Sequence, residues 1–210
     1  MKCPCHTDVL NAIAKRFQYQ DYLEIGVCNP DDCLNRIVCP NKTGVDPAVT
    51  GQGIYTQGSD EYFAGHQEKF DFIFVDGLHE DNQVFRDITN SLERLNPGGM
   101  ILAHDCLPES DNAFLGSCYR AIMRLRMTRD DINIVTLDTC TGIAVITPGK
   151  SELFPIEESI SLESYFKYRK RMMNITNLYD WCAIHDIELK GFEVWKDINT
   201  RWTKGGQWID

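Results

Sequence analysis

The chain has 210 residues, enough for one domain or two small ones. Hydrophobic residues make up 43% and aromatics 10%, which excludes intrinsic disorder. Lys and Arg total 21 against 31 Asp and Glu, and this net charge of −10 argues against sequence-independent nucleic-acid binding, which depends on neutralising phosphates.

The first residues, Met1-Lys2-Cys3-Pro4-Cys5-His6, lead into a mixed segment without the apolar core of an export signal. No run approaches the roughly 20 apolar residues of a membrane helix. A cytoplasmic protein with no membrane partner is expected, and its nine cysteines then read mostly as small buried hydrophobes. The number is odd, so at least one thiol is unpaired or pairs between chains. Cys3, Cys5 and His6 lack the two-residue gap and the fourth ligand of a zinc site.

Val9, Leu10, Ile13, Ala14 and Phe17 share one face of a helix over 8–17, which Thr7 would cap. Short strands follow at 22–27, at 43–47 and, more weakly, at 53–57. The strongest strand is 70–75, aromatic and β-branched and closed by Asp76-Gly77. A helix over 80–95 carries Val84, Phe85, Ile88, Leu92 and Leu95 on one stripe, and Asn96-Pro97-Gly98-Gly99 turns the chain into a buried strand at 100–103. Cys118, Ala121, Ile122 and Leu125 mark another helix, and strands at 132–137 and 142–146 form a hairpin around Thr139-Cys140-Thr141.

Apolar strands alternating with amphipathic helices imply an α/β, Rossmann-like doubly wound sheet, mostly parallel and ending in an antiparallel hairpin strand. The cofactor-type domain is placed at 1–150. Residues 148–155 read as a linker, and 151–210 as a helical and aromatic extension rather than an independent domain. In that extension Leu162, Tyr165, Phe166 and Met173 suggest one helix and 178–187 a second. The cluster Lys167, Arg169, Lys170 and Arg171 reads as a solvated helix face. Trp181, Trp195, Trp202 and Trp208 should pack the tail onto the domain or onto a second copy in a homodimer.

Ligands of an open parallel sheet bind beyond the carboxyl ends of its strands. The polar residues there are Glu24 and Gly26, then Asp46, then Ser59 and Asp60, then Asp76 with His79, then His104 and Asp105. One acidic residue after a strand is ordinarily a turn residue. Five such positions line a rim with carboxylates. Asp46 lies about twenty residues after Gly26, where an acidic group can take both hydroxyls of a ribose, and Gly26 clears space for a cofactor against the backbone. The Gly-x-Gly-x-x-Gly phosphate fingerprint is missing, since Cys28 and Asp31 occupy its later positions, and Asp31 and Asp32 at the start of the next helix would repel a pyrophosphate. The pattern favours a cofactor with a ribose and no phosphate over NAD.

These residues resemble class I S-adenosylmethionine-dependent methyltransferases over roughly 8–147. Tyr22-Leu23-Glu24-Ile25-Gly26 is similar to the family's first motif, Gly44-Val45-Asp46 to its second, and Ser59-Asp60 to its adenine-side motif. Residues 70–77 resemble the fourth motif, and Leu95-Asn96-Pro97-Gly98-Gly99 the turn before the fifth strand. Asp76-Gly77-Leu78-His79 with His104-Asp105 is similar to a small-molecule O-methyltransferase branch that acts on sugars and natural products, some members with magnesium. The resemblance implies that Glu24 and Gly26 hold the methionine end of S-adenosylmethionine, Asp46 the ribose and Asp60 the adenine edge, with Ser59 and Asp76 beside them. The first motif departs from the family by keeping Gly26 alone of its glycines.

Methyl transfer needs an acceptor oxygen held in line and its proton weakened or removed. Two routes are open. Asp76, His104 and Asp105 bind magnesium or another divalent metal, or His104 or His79 acts as general base with Asp105 orienting it. The structural alternatives are that His104 bonds a loop and that His79 caps the helix beginning near Glu80. The expected partner is a small-molecule acceptor. Competing readings are a non-catalytic protein on a methyltransferase scaffold and, less favoured, a dinucleotide oxidoreductase.

Overall fold

The computed structural model describes residues 4–110 and 116–189, and the backbone at 201–202 and 208–209. In chain order the elements are α1 (His6–Phe17), β1 (Asp21–Ile25), β2 (Asn41–Val45), β3 (Ile54–Tyr55), α2 (Ser59–Gly65), β4 (Phe70–Val75), α3 (Asp81–Glu93), β5 (Leu95–Ala103), α4 (Cys118–Thr128), β6 (Ile132–Leu137), β7 (Ile143–Pro148), α5 (Leu162–Met172), β8 (Ile175–Thr176) and α6 (Leu178–Ile184). A two-residue pair, β9 (Arg201–Trp202) and β10 (Trp208–Ile209), stands apart from the main sheet.

The main sheet has eight strands in the order β3-β2-β1-β4-β5-β7-β6-β8. Pairing is parallel except where β7 runs antiparallel to β5 and β6. This is the Rossmann-like sheet with the expected antiparallel hairpin strand. Side chains alternate across it as the period of two requires. Tyr22, Phe72, Phe74 and Leu102 face α1 and α6, while Leu23, Ile25, Ile73, Val75, Ile101 and Ala103 face α3, α4 and α5. Both faces are covered, which is why the strands read as near-continuous apolar runs. Val9, Leu10 and Ile13 of α1 are fully buried on the first face, and truncating any of them to alanine should cost about 2–5 kcal/mol.

Several local expectations are corrected. The α1 helix begins two residues earlier than its apolar period suggests. Cys5 is its N-cap and its amide donates to Asp8 Oδ2 at 3.0 Å. Thr7 lies inside the helix and donates instead to the Asp32 carbonyl at 3.3 Å. No α-helix links β1 to β2. Asn29-Pro30-Asp31-Asp32 turns the chain, and a single 3₁₀ turn at Leu34–Arg36 is all that forms. Asp31 and Asp32 therefore do not begin an α-helix. Leu95 belongs to β5, paired with Phe70, and Asn96-Pro97-Gly98-Gly99 is accommodated as an irregularity before Met100 meets Phe72. The strand at 53–57 shrinks to two residues, and the helix α2 behind it is a new element.

Residues 148–155 are tied down rather than a free linker. Ser151 and Phe154 donate backbone N–H groups to Asp130 and Arg126, and the Arg126 guanidinium lies over the Phe154 ring at 4.3 Å. The next segment adds β8 to the sheet edge, parallel to β6. The final helix stops at Ile184, short of the expected 187. Trp181 packs into the α1 face of the core, while Trp195 and the side chains of Trp202 and Trp208 lie outside the described residues. In the basic cluster, Lys167 pairs with Glu158, Arg169 sits over the Tyr165 ring and Arg171 over Phe154. Among the described residues no helix is long and apolar enough to cross a membrane.

Candidate functional site

Register builds the rim. Ile25 pairs with both Val45 and Val75, and Val75 pairs with Ala103. The ladder extends one rung further, with Gly26 N–H donating to Val45, Asp76 N–H to Ile25 and His104 N–H to Val75, at 2.9–3.0 Å. Gly26, Asp46, Asp76 and His104 are thus the first residues beyond four adjacent strands.

Gly26 has φ +88°, and a β-carbon there would lie 2.3 Å from the Asp76 carbonyl oxygen. The glycine lets the ends of β1 and β4 meet, a packing reason that stands beside the cofactor reason read from sequence. Asp46 closes β2 by accepting backbone N–H groups from Ala48 and Val49 on Oδ1 and from Cys28 on Oδ2. Ser59 and Asp60 lie in the first turn of α2 rather than at a strand end. The Ser59 hydroxyl donates to Asp87 at 2.6 Å, and Asp60 forms an exposed ion pair with Arg86. Gly26, Asp46, Ser59, Asp60 and Asp76 line one cleft of about 420 Å³, together with Gln83 and Asp87.

Glu24 does not line that cleft. It is buried and accepts the Tyr22 hydroxyl at 2.7 Å. Burial pushes its carboxyl up to about 7, against the lowering effect of the Tyr22 hydrogen bond.

On the other side of Asp76 the side chains converge. His104 Nδ1 lies 3.2 Å from Asp76 Oδ1 and 3.5 Å from Asp105 Oδ1. His79 approaches the same two residues, with Nε2 3.5 Å from Asp76 and Nδ1 3.5 Å from Asp105. Thr141 donates its hydroxyl to Asp105. Burial would raise the Asp76 carboxyl, but the two histidines hold it below its ordinary value. Burial would likewise lower His104, yet Asp76 and Cys140 overcome it and hold the imidazole at about 10.

Two neighbours of this cluster were invisible in sequence. Cys140 Sγ lies 3.4 Å from His104 Nε2 and 3.7 Å from His6 Nδ1. These contacts bring the thiol down to about 6 although burial opposes the shift. His6 stacks on Phe74, and its ring lies 4.8 Å from that of His104. His6 was legible only as a member of the Cys3-Cys5-His6 cluster and Cys140 only as a turn residue. Cys5 instead donates its thiol to Asp8, and Cys3 lies outside the described residues. The eight described cysteines are all free thiols.

A second cleft of about 440 Å³ opens beside His79 and shares Leu78 with the first. Its walls include Pro108, Ser117, Tyr119, Arg120 and Leu162. Gly116 fixes this wall. Its φ is +57° and a β-carbon would lie 2.1 Å from the His79 carbonyl, which accepts the Ser117 N–H at 2.8 Å. The Ser117 hydroxyl then accepts the Asp81 N–H at the start of α3. His79 is held in the rim by this loop, not as the cap of α3, whose N-cap is Glu80.

Residues 43–106 match the family model described as a methyltransferase domain. No curated protein matches. Among solved structures, an O-methyltransferase from Bacillus cereus in complex with SAH superposes with a TM-score of 0.53 at 12% identity, over 70% of this chain and 82% of that one. A methyltransferase of Podospora anserina bound to SAH gives 0.53 at 15%, over 68% and 77%. The matched segment is similar to a methyltransferase domain, and the fold around it is the Rossmann-like methyltransferase fold.

Proposed function

We propose that this chain is an S-adenosylmethionine-dependent O-methyltransferase acting on a small molecule, a sugar or natural product bearing a hydroxyl. The observation that carries the reading is the pair of clefts meeting at Leu78, one beside Gly26, Asp46 and Asp76 and the other beside His79. The first has the size of a small-molecule site. Its residues also fit the cofactor's parts. Asp46 offers a carboxylate at the rim for ribose hydroxyls, and Gly26 and Gly77 present backbone rather than side chains. No α-helix N-terminus follows β1 to hold a pyrophosphate, which weighs against a dinucleotide.

The bound cofactor would supply an electrophilic methyl group on a sulfonium. The chain's own residues hold the acceptor and manage its proton. His79 borders the second cleft, and its Nε2, once released from Asp76, would accept the proton of an acceptor hydroxyl there. Asp105, oriented by Thr141, steadies its ring through Nδ1. His104 Nδ1 lies 3.2 Å from Asp76 Oδ1 and is placed to hold Asp76 ionised.

A second reading rests on a separate convergence. One ligand atom from each of Asp76, His79 and Asp105 lies within 4.8 Å of the others. Two carboxylates and an imidazole suit magnesium or manganese, which would lower the acceptor hydroxyl's pKa. In this reading His79 takes the place foreseen for His104, whose Nε2 is turned to Cys140.

Calorimetry with S-adenosylhomocysteine should give saturable binding, and NAD should give none. No heat with S-adenosylhomocysteine would remove the proposal. Turnover over a panel of glycosides and phenols, read as S-adenosylhomocysteine release, should fall about 10²–10⁴-fold in His79→Ala while cofactor affinity stays within threefold. Activity that survives exhaustive chelation and gains nothing from added magnesium eliminates the metal route.

A further inference from the structure

We infer that His6, His104 and Cys140 form a site for a zinc-class cation, with ligands distinct from the Asp76, His79 and Asp105 set and joined to it through the His104–Asp76 contact. The three residues come from the start of α1, the end of β5 and the turn between β6 and β7. One ligand atom from each lies within 4.8 Å of the others. Zinc binds thiolate sulfur at about 2.3 Å and imidazole nitrogen at about 2.0–2.1 Å, which at a tetrahedral angle places sulfur and nitrogen about 3.6 Å apart. The Cys140 sulfur lies 3.4 Å from His104 Nε2 and 3.7 Å from His6 Nδ1. An ion would take the place of the proton between His104 and the sulfur.

The surroundings are those that a ligating histidine needs. His104 Nδ1 is engaged by Asp76 Oδ1 at 3.2 Å, which fixes the ring and leaves Nε2 directed at Cys140. A carboxylate behind a histidine in this way sets its tautomer and raises its basicity as a metal ligand. His6 is steadied by stacking on Phe74, with ring centroids 5.6 Å apart. The turn is held in an uncommon conformation, with φ +47° at Cys140 and +62° at Thr141, and its Thr139 hydroxyl donates to the Pro4 carbonyl just before α1. Backbone of this kind persists where neighbouring contacts over-determine it. A mixed nitrogen and thiolate set selects zinc over magnesium, and three protein ligands leave a fourth position for water.

The test uses the full chain. After removal of metal by chelation and dialysis, zinc is titrated back and counted by mass spectrometry, and cobalt is substituted for optical spectroscopy. One ion per chain is expected, and the cobalt form should show a thiolate-to-metal charge-transfer band. Cys140→Ala and His6→Ala should each weaken zinc binding at least tenfold, while Cys28→Ser and His79→Ala keep it. Full zinc affinity in Cys140→Ala, or loss in His79→Ala with retention in His6→Ala, would overturn the assignment. Should the variants not fold, the wild-type protein still decides. Failure to bind zinc, or cobalt bound without a charge-transfer band, refutes the site.

Discussion

The rim of this sheet has two halves built on different principles. Around β1 and β2 the geometry is made by backbone. Gly26 allows two strand ends to touch, and Asp46 spends its carboxylate on three amide N–H groups. Around β4, β5 and the β6–β7 turn it is made by titratable side chains. Asp76, His79, His104, Asp105 and Cys140 lean on one another at 3.2–3.5 Å. A backbone-made site keeps its shape across pH and fails through strain. A side-chain network depends on protonation and fails when one member leaves a neighbour unpaired. The first arrangement suits an invariant cofactor and the second suits proton handling.

The sharpest way to break the contrast is a single methyl group at position 26. In Gly26→Ala the β-carbon would meet the Asp76 carbonyl at 2.3 Å from a backbone at φ +88°. Neither the backbone nor the carbonyl yields cheaply, so denaturant unfolding should show a loss of about 3–5 kcal/mol. Gly77→Ala is the control, because its nearest contact is an Ile25 side-chain carbon at 3.5 Å. It should stay within about 1 kcal/mol of the parent. Equal costs would mean that the strand ends are not the rigid part of the rim.

The same contrast decides what was legible in the sequence. The strands at 70–75 and 132–137 were readable to the residue, because strands covered on both faces advertise themselves as apolar runs. The rim residues followed from the topology rule once those ends were fixed. Elements set by local competition were not legible. The crossover after β1 looked like the place for a helix, yet Asn29, Pro30 and Asp31 favour turns and only a 3₁₀ turn forms. Leu95 fitted the α3 stripe but was drawn into β5 by pairing with Phe70. The partnership of His6, His104 and Cys140 joins positions more than thirty residues apart, and no periodicity encodes it.

Glu24 tests where the backbone half ends. It is a carboxyl buried beside Tyr22 and Cys33, held at about 7 against an ordinary 4.5. The fold therefore binds its proton more tightly than the unfolded chain does. The stability linked to that proton is complete below about 4.5 and is lost as pH rises through about 7. The shift corresponds to a swing on the order of 3 kcal/mol between those limits. Glu24→Gln keeps an acceptor for the Tyr22 hydroxyl without the titration. Its unfolding midpoint should be flatter with pH, and the variant should overtake the parent above about pH 7. Parallel profiles would show that Glu24 is ionised in the fold and that the division of the rim is misdrawn.

The smallest effect is expected at Asp46, where both kinds of construction meet. Its carboxylate is fixed by three amides, and the residue also lines the first cleft. In Asp46→Asn one oxygen remains to accept N–H groups while the amide nitrogen must oppose one. Donors at Ala48 and Val49 converge on Oδ1, whereas Cys28 alone meets Oδ2. The new oxygen should therefore take the Oδ1 place, with the NH₂ in the Oδ2 place losing the Cys28 contact and one acceptor for ribose. A loss of about 1–2 kcal/mol in cofactor affinity follows, roughly tenfold in the dissociation constant of S-adenosylhomocysteine. The turnover rate at saturating cofactor should barely move, because Asp46 touches none of the residues around His79. A fall in turnover with affinity intact would instead couple the two halves, and the rim would have to be treated as one network.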